Sequence, residues 1–169
     1  MEERLFATNV APLRAVFPLV TVSHKNVRAK DPRNTQRIKD ELQASNIEGR
    51  TWIEITVTQA RASWDILELI QPSSLPIIFP GYLQWLWNDS EADVMMHGLP
   101  LQLLHTLNQP TQPYNRQQIE GLVSFLQSVL DRARPTLERK EVAVFAEALR
   151  VANNLACPRA LPAICDSVG

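Results

Sequence analysis

Few residues in this chain are of types and spacings that do chemistry. Asp93 and His97 lie four apart, which on a helix turns a carboxylate and an imidazole the same way, and His105 follows two turns later. Such a trio can hold a metal ion or serve a hydrolase as an acid–base set. The commoner use of an isolated carboxylate–histidine pair is a surface ion pair or a helix cap. Cys157 and Cys165 have no neighbouring histidine, no G-x-S-x-G elbow occurs, and there is no phosphate-binding glycine loop. Ser73 and Ser74 sit where helix caps are expected.

Two other stretches suggest binding. Lys25, Arg28, Lys30, Arg33, Arg37 and Lys39 cluster against Asp31 alone, as phosphate neutralisation requires. No aromatic residue interleaves them, so base stacking is unsupported and a solvated helix face accounts for the run equally well. A pI near 6.3 also argues against nucleic acid as a partner. In the second stretch Tyr82, Trp85 and Trp87 run directly into Asp89, Glu91 and Asp93. Tryptophans two apart cannot share one helical stripe, so Leu83, Leu86 and Trp87 are expected inward and Trp85 at least partly outward. An outward tryptophan beside carboxylates has the composition of an interface hot spot aimed at a basic protein. The competing explanation buries all four tryptophans and uses the carboxylates as caps.

Charge distribution favours this second stretch. The net charge of −1 conceals a +3 first segment (1–50), a −5 middle segment (51–113) with Arg61 as its one cation, and a +1 remainder. The middle segment is therefore expected to carry negative surface potential.

The elements that must position these groups are helical. At 169 residues, 45% hydrophobic and 21% charged, the chain is expected to form one domain, 1–169, with its own core. Residues 1–30 are expected to be irregular because Pro12 and Pro18 interrupt an apolar run, with room for one turn of helix or for a short strand at Leu19-Val20-Thr21-Val22. Asp31-Pro32 opens a helix over about 33–45, with Gly49 as its stop. Thr56 with Gln59 forms a capping box ahead of a helix carrying Ala60, Trp64, Leu67 and Ile70. The next helix, about 74–88, should kink or break near Phe79, since Pro80 lies inside it. A further helix over 91–106 should be disturbed by Gly98 and Pro100. Asn115 and Gln118 cap a helix to 133 with an apolar stripe from Ile119 to Leu130, and Pro135 separates it from a last helix over 136–153. These two form an antiparallel hairpin, and 158–169 is a tail. The expected class is mainly α, an irregular domain of five to seven helices.

The stretch Phe79-Pro80-Gly81-Tyr82-Leu83 resembles the "leucine-proline-alanine-tyrosine-leucine" helix of a small uncharacterised bacterial family, a domain of unknown function. In that family a tryptophan-containing cap and helix precede this element. An acidic turn and an aromatic-headed helix follow it, matched here by Glu91-Ala92-Asp93-Val94 and Tyr114-Asn115-Arg116-Gln117-Gln118. The resemblance spans about 51–131 and departs from the pattern at Phe79 and Gly81. It carries no catalytic residue across, and implies a small bacterial helical protein of the accessory type met beside toxin or mobile-element genes.

Together these features lead to a non-enzymatic protein-binding module, an immunity or antitoxin protein that occludes a cognate toxin through Trp85, Asp89, Glu91 and Asp93. A metal-dependent hydrolase using Asp93, His97 and His105 is the first alternative, and nucleic-acid binding through 25–39 the second. No cofactor is expected. The cytoplasm is the expected compartment, because Met1-Glu2-Glu3-Arg4 lacks the basic start of a secretory signal, no membrane-length apolar run occurs, and the two cysteines read as free thiols.

Overall fold

A computed structural model describes residues 10–86, 92–133 and 139–158; the side chains of 92–97, 133 and 141 fall outside that description. The fold is mainly helical. Residues 10–16 form α1, followed by α2 (Thr35–Ala44), α3 (Val57–Ala62), α4 (Ile66–Leu69), α5 (Leu75–Leu83), α6 (Ala92–Leu107), α7 (Arg116–Ala133) and α8 (Arg139–Ala156). Short 3₁₀ turns at Pro32–Asn34, Trp52–Glu54 and Pro72–Ser74 lead into or between them. Among the described residues no helix is long and apolar enough to cross a membrane.

Three of the caps expected from local sequence form as written. Thr56 N–H donates to Gln59 Oε1 at 2.9 Å while Gln59 N–H returns to Thr56 Oγ1 at 3.2 Å. Asn115 and Gln118 make the same reciprocal pair at 3.0 and 2.9 Å. Asp31 accepts from Arg33 N–H at 2.9 Å, starting the turn into α2. Each of the two reciprocal pairs satisfies two amides that would otherwise be unpaired, and Asp31 satisfies one.

Other expectations need correction. The segment 1–30 is not irregular throughout: α1 is helical because Val10, Leu13 and Phe17 recur at helical spacing and are all buried. The strand propensity at 19–22 yields one isolated antiparallel bridge, Thr21 to Thr51, flanked by Val22 N–H to Arg50 O at 2.7 Å. Gly49 does not stop α2. The helix ends at Ala44 and Asn46 takes the left-handed conformation (φ 57°); Gly49 (φ 86°) instead turns the chain into the bridge.

The single helix expected from Thr56 to Ile70 is two, α3 and α4. Tyr82 explains the break, since its hydroxyl donates to the Ser63 carbonyl at 3.2 Å and lies 2.7 Å from Ser63 Oγ. That division and α1 bring the helical segments among the described residues to eight, one beyond the expected range.

No break occurs near Phe79. Proline 80 costs α5 one backbone bond, but Ile78, Phe79, Tyr82 and Leu83 are all fully buried, and packing holds the turn together. Likewise α6 runs unbroken through Gly98 and Pro100. Ser74 makes no cap bond: its Oγ accepts from Arg28 N–H at 2.9 Å, tying a distant segment to the start of α5.

One cluster of buried side chains extends from Leu13 to Ala156. Helix α8 packs on α7 and α6, and α5 on the Trp52–Glu54 turn. Gln127 and Leu130 of α7 share a groove with Asn153, Asn154, Ala146 and Leu149 of α8. Phe17 meets Tyr114 edge-on at 6.0 Å between ring centroids, joining α1 to the start of α7.

Candidate functional site

The C-terminal end of α5 places Trp85. Gly81 makes the placement possible: a Cβ there would stand 2.8 Å from the Trp52 carbonyl oxygen and 2.6 Å from Ile55 Cδ1. Only glycine lets the helix lie this close to the 52–55 backbone. Gln84, almost wholly buried, then donates from Nε2 to the carbonyls of Trp52 and Ile55, both at 3.0 Å, and of Gly81 at 3.1 Å. The indole N–H of Trp85 donates to the Ile55 carbonyl at 2.9 Å. Side chains 84 and 85 thus clamp one turn of backbone from two directions.

Trp85 is half-buried, so part of its ring surface stays open while its polar edge is satisfied. Leu83 and Leu86 are fully buried, as the spacing predicts. Of the other tryptophans, Trp52 is fully buried, with its indole N–H unpartnered among the described residues, and Trp64 is half-buried. Trp64 and Trp85 both pack against the core cluster without being wholly enclosed by it. Trp87, Asp89 and Glu91 lie outside the described residues. Asp93 belongs to the first turn of α6, two residues beyond them.

Two buried phenols, Tyr82 and Tyr114, have hydrogen-bonded hydroxyls. Burial pushes the Tyr82 phenol well above the ordinary tyrosine range, against the lowering effect of its Ser63 hydrogen bond. The Tyr114 phenol is raised in the same way, with Thr106 as its hydrogen-bond partner at 3.1 Å.

The residues of the two alternative readings are dispersed differently. Asp93, His97 and His105 share the continuous helix α6, with the side chains of the first two outside the description. Among the described residues no group of three or more His, Cys, Asp or Glu side chains is arranged to hold a metal ion. In the basic run, Arg33 pairs with Asp31 at 2.6 Å, Arg37 with Glu41 at 2.9 Å and with Asp65 at 3.5 Å, while Lys30 donates to the Glu68 carbonyl at 3.1 Å. Half of the cluster is thus engaged within the chain.

One grouping has no local sequence signal. Lys30 and Glu68 meet Gln102 and His105 around a cleft of about 310 Å³. They come from three segments up to 75 residues apart in the chain, and only tertiary structure joins them.

Cys157, at the end of α8, is an exposed free thiol. Comparison with known proteins finds no family model, no curated protein and no solved structure that matches this chain.

Proposed function

We propose that this chain is a non-enzymatic protein-binding module of the bacterial immunity or antitoxin kind, neutralising a cognate toxin by direct occlusion. The observation that carries the reading is the seat of Trp85. Its ring is half-buried, its N–H is satisfied by the Ile55 carbonyl, and the neighbouring Gln84 side chain ties the end of the helix to the Trp52 and Ile55 carbonyls just before the acidic run of the sequence. An aromatic held in place this way loses little conformational entropy on binding, which is what makes an anchoring residue effective. Asp89, Glu91 and Asp93 supply attraction for a basic partner and accelerate encounter. The resemblance of Phe79 to Leu83 to a bacterial accessory family agrees with this role.

The test is stoichiometric. The product of the neighbouring gene in the native host, purified and mixed with this chain, is expected to form a one-to-one complex and lose its toxic activity. Trp85→Ala should weaken that complex about 30-fold, the effect of losing a hot-spot tryptophan worth about 2 kcal/mol. Trp64→Phe, at the other half-buried tryptophan, should leave affinity unchanged. A Trp85→Ala variant that keeps its native circular dichroism and its full affinity would contradict the proposal.

A further inference from the structure

The cleft bounded by Lys30, Glu68, Gln102 and His105 is separate from the Trp85 surface and does not depend on the reading given to it. Its walls are fixed by backbone. Lys30 N–H donates to the Leu69 carbonyl at 2.8 Å, Gln71 N–H donates to the Arg28 carbonyl at 2.7 Å, and Ala29 bridges Ile70 antiparallel between them. Lys30 and Glu68 are thereby set on adjoining strands of chain. Gln102 and His105 face them from α6, three residues apart on one helical face.

The four groups offer complementary chemistry. The Lys30 ammonium spends one proton on the Glu68 carbonyl at 3.1 Å and keeps two. Gln109 Nε2, which can only donate, lies 2.9 Å from His105 Nε2. In the neutral ring Nε2 is therefore the acceptor, the proton sits on Nδ1, and His105 has a donor left to offer. The Glu68 carboxylate has no hydrogen-bond or ion-pair partner among the described residues.

We infer that this cleft binds a small zwitterion of the α-amino-acid class, its carboxylate taken by Lys30 and His105 and its ammonium by Glu68. A simple anion would meet the Glu68 carboxylate, and a simple cation or metal ion would meet the Lys30 ammonium. A ligand carrying both charges satisfies both walls, and Gln102 can donate to one end or accept from the other. A volume of about 310 Å³ admits a small amino acid. Because the charged groups are exposed, affinity should be modest, with a Kd on the order of 1 mM.

The experiment is an amide NMR titration of the full chain with L-serine, alongside acetate and methylammonium as carriers of one charge each. Saturable shifts at Lys30, Glu68 and His105 are expected with L-serine, and binding at least about tenfold weaker with either control. Glu68→Gln and Lys30→Met, both at exposed positions, should each weaken L-serine about fivefold while the rest of the spectrum stays native. Absence of saturable shifts at these residues, equal binding of acetate, or indifference to both substitutions would each overturn the assignment.

Discussion

Adding one methyl group at Gly81 tests the close approach on which the Trp85 seat depends. In an open helix, Gly→Ala is stabilising by about 1 kcal/mol, because alanine loses less backbone freedom on folding. Here the new Cβ would sit 2.8 Å from the Trp52 carbonyl oxygen and 2.6 Å from Ile55 Cδ1. The Ile55 side chain can rotate away, but the carbonyl belongs to a 3₁₀ turn capped at Thr51 by Glu54 and cannot retreat without moving that turn. Overpacking of this kind costs about 1–3 kcal/mol. Moving the Trp52 carbonyl also stretches its bond from Gln84, a further loss of about 1 kcal/mol. Subtracting the helix-propensity gain leaves Gly81→Ala destabilised by about 1–3 kcal/mol, a fall in Tm of roughly 2–12 °C at this chain length. Urea denaturation followed by circular dichroism reads the sign directly. A variant as stable as the parent, or more so, would refute the contact between α5 and the 52–55 turn.

Further expectations follow from the same interior. Gln84→Leu should cost about 1–3 kcal/mol in urea denaturation, because it takes the Gln84 donor from the Gly81 carbonyl and leaves Trp52 with the Ile55 N–H and Ile55 with Trp85; a loss below about 0.5 kcal/mol would contradict the clamp. The chain's two tyrosines, Tyr82 and Tyr114, are both buried with phenols raised above their ordinary value of 10.0. Each binds its proton more tightly when folded, so the stability it contributes is fully present below pH 10 and declines as pH rises beyond it. Absorbance at 295 nm should therefore stay flat through pH 10 and rise only with alkaline unfolding, whereas urea-unfolded protein should titrate near the ordinary value. Native protein that forms phenolate near pH 10 without unfolding would show these hydroxyls to be exposed.

What the sequence makes legible is chiefly local. The reciprocal bonds at Thr56/Gln59 and Asn115/Gln118 depend on residues three apart, so their pattern can be read directly, as can the stripe that buries Ile119, Leu122, Leu126 and Leu130. The misreadings arise where distant residues override a local rule. Proline 80 and Pro100 look like helix breakers until burial around α5 and the continuity of α6 are known. Tyr82 ends α3 from 19 residues away. Ser74 looks like a cap but holds Arg28, and Gly98, apparently a weak point of α6, has the Trp64 ring where a side chain would be. Trp85 was recognisable because its spacing from Leu83 and Leu86 excludes it from the buried stripe. Its anchorage on Ile55 was not, because that bond spans 30 residues. The Lys30–His105 cleft is less legible still, since its members sit in stretches with unrelated local explanations.

The most direct test of the binding account is the salt dependence of association with the purified cognate partner, compared between the parent and an Asp89→Lys, Glu91→Lys, Asp93→Lys variant. The account predicts a parent on-rate that falls steeply with ionic strength, and a variant whose on-rate is at least about tenfold lower at low salt and nearly salt-independent. An association rate and affinity that survive this triple reversal unchanged would contradict the assignment of the acidic run to the interface.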